Sequence, residues 1–200
     1  MSDRGARLDR QVIHDGRVVH LSLDTVAFPD GRTGTLELVE HPGASAIVPL
    51  LDPPGAPDPR VILLRQYRYA GGGYLVEVPA GTRDAPDEDW AACARRELEE
   101  ETGYRAGRLR HLGDILTTPG FTDERIALFV AWELERRVSR PDVDEYLEPT
   151  VMPLRRALAE ARTGGIEDAK TLCALFLAEA WLADGAPAAP AGAADGGGQG

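Results

Sequence analysis

The sequence predicts an α+β fold in which helices cover a mixed β-sheet, and two observations carry that prediction. Segments with strand-like and helix-like patterns follow one another in the order strands, helix, strands, helices, with no internal repeat. The chain of 200 residues is 43% apolar, which suits one domain of ordinary size with its own core. We therefore expect a single sandwich domain with additional segments at its ends.

The N-terminal part of the chain predicts a flexible start followed by a strand layer. Residues 1–12 are polar, so we expect them to be flexible. Within residues 13–42, apolar and polar residues alternate on both sides of Pro29-Asp30-Gly31, which is typical of an antiparallel hairpin. Three further buried strands are predicted from short apolar runs at 46–51, 61–64 and 74–78.

The second half of the chain predicts the longest helix, more strands and a pair of helices. The long helix begins near Pro86–Glu88, with acidic residues in its first turn, and ends at Gly103, which suits a C-terminal cap. The main domain is expected to span 43–184, and the Gly-, Ala- and Pro-rich residues 185–200 to form a disordered tail. Strands are expected at 109–116 and 126–134, a loop that becomes a strand at 143–152, and helices at 154–162 and 169–182.

The overall composition argues against several classes of function. A formal charge of −11 argues against nucleic acid as a partner, because binding it depends on Lys and Arg neutralising phosphates. The same charge argues against docking on an anionic membrane surface. No apolar run approaches the ~20 residues of a membrane span, the N-terminus lacks the apolar segment of a signal peptide, and two cysteines make no disulfide framework. These features together predict a soluble cytoplasmic protein.

An acidic cluster near the end of the long helix is the strongest chemical signal. Glu97, Glu100 and Glu101 are spaced so that they share one helix face, where like charges repel. They also lie toward the C-terminal end of the helix, where the helix dipole disfavours anions. Taken alone, the cluster is either a solvated acidic face or a site for a hard divalent cation such as Mg²⁺ or Mn²⁺.

The residues around this cluster resemble the Nudix box, G-x5-E-x7-R-E-U-x-E-E-x-G-U, in which U is aliphatic or bulky. The chain has Gly81, Glu88 and then Arg96 to Tyr104 in the order of the box. Six residues, where the usual box has five, separate Gly81 from Glu88. The extra residue falls in the loop ahead of the helix, so we expect it to alter that loop and leave the helix register unchanged.

The resemblance assigns roles to the fixed residues of the box. Glu97 and Glu101 would be metal ligands, and Glu100 would be a third ligand or hold a metal-bound water. Two or three Mg²⁺ ions are implied at such a site, with Mn²⁺ as an alternative. The residues that would shape and orient the box are Gly81, Glu88, Arg96 and Gly103.

The segments on both sides of the box are similar to the ADP-ribose pyrophosphatase branch of the Nudix hydrolases. The resemblance covers about residues 14 to 182, and the matching segments are 41–44, 64–68, 77–81, 118–124 and 165–171. It implies an α/β/α sandwich around a mixed β-sheet, with an N-terminal antiparallel strand layer that builds a homodimer. The implied substrate is ADP-ribose or a similar nucleoside diphosphate sugar.

The same resemblance implies several residues that contact the metal or the substrate. The carbonyl of Ala80 would be a metal ligand, and Arg68 would contact the diphosphate or the ribose. Phe28 is a candidate aromatic platform for adenine. Other positions that line the substrate in relatives correspond to Glu37 and His41, with Thr82 and Thr118 as weaker candidates of the same kind.

A hydrolase of this branch also needs a base for the attacking water. The resemblance places the base on a loop after the box, where Glu145 is the first choice. A shift of one residue in the correspondence would select Asp144, and Glu124 is the rival candidate on another loop.

The predicted function is therefore the Mg²⁺-dependent hydrolysis of the diphosphate of ADP-ribose, or of a related ADP-sugar, to AMP and ribose 5-phosphate. One alternative is a pyrophosphatase for another nucleotide sugar, such as GDP-mannose, or for a dinucleotide. A second alternative is a ligand-sensing module without catalysis. The intact box glutamates and the lack of a basic recognition helix in the sequence argue against this second alternative.

Overall fold

The computed structural model describes residues 6–85, 87–137 and 147–185, which form three sheets and three α-helices. The strands are β1 (Ala6–Asp15), β2 (His20–Ala27), β3 (Thr33–Glu40), β4 (Ala44–Pro49), β5 (Arg60–Arg68), β6 (Gly73–Glu77), β7 (Ala80–Thr82), β8 (Tyr104–Leu116), β9 (Arg125–Arg136) and β10 (Leu147–Pro153). The helices are α1 (Trp90–Thr102), α2 (Leu154–Thr163) and α3 (Ala169–Ala183).

The N-terminal sheet has the order β1-β2-β3, with antiparallel pairing throughout. The predicted hairpin is confirmed, and the backbone N–H of Phe28 closes its turn by donating to the Arg32 carbonyl at 2.8 Å. The expected flexible start is wrong for residues 6–12, because these belong to β1. Nearly all side chains of β1 are exposed, so its sequence shows no alternation, and its pairing with β2 defines it instead.

A four-stranded mixed sheet of order β7-β4-β9-β8 forms the centre of the molecule. Strand β4 runs parallel to β9, and all of its residues are buried. Its successive side chains enter two cores: Val48 packs with residues of α2 and α3, and Ile47 packs with residues of α1. Helices therefore cover both faces of this mixed sheet, which confirms the predicted sandwich. A second antiparallel sheet has the order β10-β5-β6.

The caps of helix α1 set its bounds and its orientation. The Asp89 side chain accepts hydrogen bonds from two backbone N–H groups of the first turn at 3.0 Å, so the helix starts a few residues later than predicted. Gly103 takes the left-handed conformation, with φ at 71°, and ends the helix as predicted. The buried face of α1 includes Glu97 and Glu101, which places two box glutamates in the interior.

Two features of the fold hold the segment in front of α1. Strand β7, which follows the turn-like Pro79 and was not predicted, pairs with β4 and carries Ala80 and Gly81. The first turn of α3 lies against the end of β6, because the Thr171 hydroxyl accepts a hydrogen bond from Val78 N at 2.9 Å. The Ala80–Gly81 segment is therefore positioned by both a sheet and a helix.

None of the described helices is long and apolar enough to cross a membrane. The predicted tail lies, from residue 186 onward, outside the described residues.

Candidate active site

A polar cavity of about 490 Å³ opens between α1, β7, the end of β5 and the start of α3. Both signs of charge line it, so it can take a ligand that carries anionic groups together with cations. Its charged lining consists of Arg17, Arg68, Asp84, Arg96, Glu97, Glu100, Glu124 and Lys170. Two groups of these side chains, on different elements, account for most of that charge.

The first group is centred on Arg96 of α1, and we call Asp84, Glu88, Arg96, Glu97 and Glu100 the Arg96 cluster. The Arg96 Nη1 atom donates to Glu97 Oε1 at 2.6 Å and to Glu100 Oε2 at 3.3 Å. Its Nε atom lies 3.3 Å from both Glu88 Oε1 and Asp84 Oδ2. One guanidinium therefore faces four carboxylates. Partial burial lowers the pKa of Arg96, but the Glu88 hydrogen bond and the Glu97 charge outweigh it and raise that pKa.

These contacts support the orienting role expected of Arg96 and Glu88. Glu88 accepts a second hydrogen bond from the backbone N–H of Asp84 at 2.7 Å, and Arg96 Nη2 donates to the Thr82 carbonyl at 3.0 Å. The loop between β7 and α1, which contains the extra residue, is thus tied to the helix at both ends. The contacts between the loop and the box residues form despite the altered spacing.

Gly81 stands directly against the Glu97 carboxylate. A Cβ atom added at Gly81 would lie 2.1 Å from Glu97 Oε1, closer than non-bonded atoms approach. The φ angle of Gly81 is not in the left-handed region, so lack of space, not backbone conformation, requires a glycine here. The first residue of the box therefore makes room for its second glutamate.

Glu101 lies deeper than the other box glutamates. Its side chain is almost fully buried, and its Oε2 atom accepts a hydrogen bond from Ala80 N at 3.0 Å. Glu97 and Glu101 thus both face the Ala80–Gly81 segment, as a metal site at the Ala80 carbonyl would require. Glu100 is more exposed than either and lines the cavity.

The donors at this wall suit a hard divalent cation by their chemistry, because they are carboxylate and carbonyl oxygens. Among the described residues, however, no three His, Cys, Asp or Glu side chains are already gathered as a ligand set. Arg96 instead contacts three of the four box glutamates, Glu88, Glu97 and Glu100. A cation bound here would share these carboxylates with Arg96.

The second group of charges is carried by β5, β6 and the start of α3, and we call Arg68, Glu77, Asp168 and Lys170 the Glu77 cluster. Arg68 donates to both oxygens of Glu77, from Nε at 2.8 Å and from Nη2 at 2.9 Å. Lys170 Nζ forms a close ion pair with Glu77 Oε2 and contacts Asp168 Oδ1 at 3.0 Å. Burial raises the pKa of Glu77, but the Arg68 hydrogen bonds and the Lys170 charge bring the net pKa below its usual value.

Three further residues predicted to act in the site lie in or beside the cavity. Thr82 and Glu124 line it. Glu124 accepts a hydrogen bond from the Thr117 hydroxyl at 2.7 Å, and its other oxygen lies 3.6 Å from His41 Nε2. His41 therefore reaches the cavity only through Glu124. Its own ring lines a neighbouring groove beside the N-terminal sheet.

The other predicted site residues are not brought to this cavity within the described residues. Phe28 packs against Gly34 in the turn of the N-terminal hairpin, and Glu37 is exposed on β3. Thr118 is exposed, and its carbonyl accepts backbone hydrogen bonds within its own loop. Glu145 and Asp144 lie outside the described residues.

Several cavity residues were not predicted from the sequence. Arg17 reaches the cavity from the turn between β1 and β2, and Asp84 from the loop before α1. Glu77 and Lys170 lie in segments that matched the family resemblance, but no role was assigned to them. The signal that could have identified Lys170 is compositional, since it is the single lysine of a chain with 22 basic residues.

Known proteins are similar to this chain over most of its length. The NUDIX domain family matches residues 41–175. A protein of Bacillus methanolicus named methanol dehydrogenase activator is 37% identical over 165 residues, which are 82% of this chain and 86% of that protein. An ADP-ribose pyrophosphatase of Bacillus subtilis (strain 168) is 35% identical over 170 residues, covering 83% of this chain and 88% of the relative.

Two further comparisons concern the substrate and the fold. A GDP-mannose pyrophosphatase of Citrobacter koseri is 38% identical over 124 residues, 58% of this chain and 64% of that protein. A solved structure described as an ADP compounds hydrolase superposes with a TM-score of 0.76 and 25% identity. It covers 90% of this chain and 95% of the solved chain.

Proposed function

This chain belongs to the NUDIX family, and on that basis we propose that it hydrolyses the diphosphate of ADP-ribose, or of a related ADP-sugar, to AMP and ribose 5-phosphate. One observation carries the proposal: the box carboxylates Glu97 and Glu100 and the Arg68 guanidinium line the same cavity. A diphosphate between them would meet a cationic side chain on one side and a cation-binding wall on the other.

The choice of ADP-ribose is supported by the extent of the similarity. The ADP-ribose pyrophosphatase of Bacillus subtilis matches 83% of this chain, whereas the GDP-mannose pyrophosphatase matches 58%. The solved ADP compounds hydrolase covers 90% of the chain, and so includes most of the segments that flank the box. Hydrolysis of GDP-mannose or of a dinucleotide is the alternative within the family.

We also propose that the enzyme uses Mg²⁺ or Mn²⁺, in two or three ions. Glu97, Glu101 and the Ala80 carbonyl would hold them, and Glu100 would be a further ligand. The burial of Glu97 and Glu101 against the Ala80–Gly81 segment supports this assignment. When bound, such ions supply positive charge beside the diphosphate and make a neighbouring water more acidic.

The remaining steps depend on this chain's own side chains. Arg68 donates to Glu77 from Nε and from one hydrogen of Nη2, so its other N–H groups can donate to phosphate oxygens. A loop carboxylate would accept a proton from the attacking water, and Glu145 is our first choice for this base. Glu124, which lines the cavity, is the second candidate, and Asp144 is the third.

We further propose that the chain forms a homodimer in the cytoplasm. The N-terminal sheet supports the dimer, because it exposes apolar side chains that a single chain leaves uncovered. The described cysteines are free, in keeping with a reducing compartment. Light scattering tests the dimer, and a monomer at micromolar concentration would contradict it. The exposed apolar residues are Leu8, Val12, Ile13, Val18, Val19 and Leu36.

The function is tested by incubating the protein with a panel of nucleotide sugars and Mg²⁺ and measuring the nucleoside monophosphate released from each, which is AMP for ADP-ribose and GMP for GDP-mannose. ADP-ribose should be among the best substrates, and Glu101→Gln should lower its hydrolysis by about 100-fold or more. Glu99→Gln, the same substitution on the same helix outside the cavity, is the matched control and should retain activity. If GDP-mannose is preferred, the alternative substrate is correct.

The base is identified in the same assay by comparing Glu145→Gln with Glu124→Gln. The variant of the true base should lose about 100-fold in kcat or more, because the proton acceptor is removed. If Glu145→Gln keeps most of its activity, Glu145 is not the base. If no nucleotide sugar is hydrolysed but one binds, the non-catalytic sensing module is correct.

A further inference from the structure

The single lysine of this chain lies at the cavity. All other basic residues, 21 of 22, are arginines. Lys170 lies in the first turn of α3, its side chain is only 13% exposed, and it lines the same cavity as the box residues Glu97 and Glu100. Its role is not part of the proposed hydrolysis, in which Arg68 alone holds the diphosphate from this side.

Lys170 contacts the residue that fixes Arg68. Glu77 is buried, and each of its oxygens accepts a hydrogen bond from the Arg68 guanidinium. Its Oε2 atom also pairs with Lys170 Nζ. The carboxylate therefore contacts two cations, which meet at its Oε2 atom and together hold it in place.

Lys170 is itself held in place by the first turn of α3. Asp168 caps the helix by accepting from Thr171 N at 2.9 Å, and its other oxygen contacts Lys170 Nζ at 3.0 Å. The Thr171 hydroxyl donates to Asp168 and accepts from Val78 N, next to Glu77 in the chain. The start of α3 and the end of β6 are thus joined by the Thr171–Val78 hydrogen bond, next to the Lys170–Glu77 ion pair.

We propose that Lys170 is a positioning residue that acts through Glu77 to hold the Arg68 guanidinium in the orientation that receives a phosphate group. The proposal rests on the proposed function, since it concerns the same diphosphate. Exposure separates the two cations: the Arg68 side chain is 41% exposed and can meet a ligand, whereas Lys170 is 13% exposed and faces two carboxylates. The guanidinium is the group that touches the substrate, and the ammonium stabilises the carboxylate behind it.

The test is a double-mutant cycle with Lys170→Met and Arg68→Met. Methionine matches the length of the lysine side chain but carries no charge. The dissociation constant of ADP-ribose is measured by calorimetry in EDTA, and KM and kcat are measured with Mg²⁺. Lys170→Met should raise the dissociation constant and KM about tenfold and change kcat by less than about threefold, because a phosphate contact made equally in the ground and transition states affects KM.

The decisive arm is the double variant. If Lys170 acts through Arg68, then Lys170→Met in the Arg68→Met background should change the dissociation constant by less than about twofold. Lys170→Arg, which keeps a cation beside Glu77, should stay within about threefold of the wild type. Arg162→Met is the control. It removes only the exposed ion pair between Arg162 of α2 and Glu179 of α3, so KM should stay unchanged.

Two results would overturn the proposal. If the effects of the two substitutions multiply in the double variant, Lys170 acts on the ligand directly. If Lys170→Met binds ADP-ribose as the wild type does, it has no positioning role. Should Lys170→Met fail to fold, Lys170→Gln takes its place in the cycle. A wild type that binds ADP-ribose and shows the coupling, but does not hydrolyse it, refutes the proposed function and leaves the inference standing.

Discussion

The Arg96 cluster and the Glu77 cluster line the same cavity but differ in how their charges are balanced. In the Arg96 cluster four carboxylates share one guanidinium, and the same helix also carries the buried Glu101. In the Glu77 cluster two cations meet two carboxylates. The first therefore gains from added positive charge, whereas the second is complete within the chain. The cavity thus has one wall with an excess of negative charge and another whose charges are balanced.

The largest effect is expected from removing one charge from the Arg96 cluster. Glu97→Gln keeps an oxygen that can accept from Arg96, but it removes a proposed cation ligand, so hydrolysis should fall by about 100-fold. In the wild type, saturating Mg²⁺ should raise the melting temperature by a few degrees, because it binds the folded state only, and this rise should be smaller in the variant. Scanning calorimetry in Mg²⁺ and in EDTA measures this rise in melting temperature for the wild type and for the variant.

Glu99→Gln is the control for this comparison, since it removes the same charge from α1 outside the cavity. An equal response of Glu97→Gln and the wild type to Mg²⁺ would mean that the Arg96 cluster does not bind the cation.

A smaller effect is expected from filling the space beside Glu97. In Gly81→Ala the new methyl group would meet the Glu97 carboxylate, so that carboxylate must move, and activity should fall about tenfold with a loss of about 1–3 kcal/mol in stability. Gly73→Ala is the matched control, because a Cβ there meets no atom within 4 Å. A Gly81→Ala enzyme with wild-type kcat and stability would show that the position of Glu97 is not critical.

The third prediction concerns stability and pH at the Glu77 cluster. Glu77→Gln leaves two cations beside a neutral amide, which should cost about 3–5 kcal/mol at neutral pH. Despite burial, Arg68 and Lys170 hold the pKa of Glu77 below its usual value. The wild type therefore has this stabilisation above the usual pKa and loses it as the pH falls through the lowered folded-state pKa.

The difference in melting temperature between wild type and Glu77→Gln should accordingly be largest at neutral pH and shrink in acid. A difference that stays constant down to the acid limit of folding would contradict an ionised Glu77. Arg162→Met, which breaks an exposed ion pair, should show little difference from the wild type at any pH.

The parts of the site that were predicted from the sequence are those encoded by local spacing. Helix geometry places Glu97 and Glu101 on one face whatever the rest of the fold does, and Gly103 ends the helix through its own backbone preference. The buried strand β4 was also predicted, because its apolar run has no other stable location.

The parts that were not predicted depend on pairing between distant segments. Strand β1 has exposed side chains on both faces, so only its hydrogen bonds to β2 define it. Glu77 follows an ordinary strand pattern, and its burial becomes favourable only when Arg68 of the adjacent strand and Lys170, 93 residues further along the chain, both pair with it. No periodicity in the sequence encodes that meeting.

The arginine-rich composition makes Lys170 chemically unique in the folded protein. Reductive methylation with isotope-labelled formaldehyde modifies lysine amines and the α-amino group, and this chain has one lysine. The spectrum of the methylated protein would therefore contain a single side-chain signal, which comes from Lys170 at the cavity. Binding at the site could then be followed by nuclear magnetic resonance without assigning the rest of the protein.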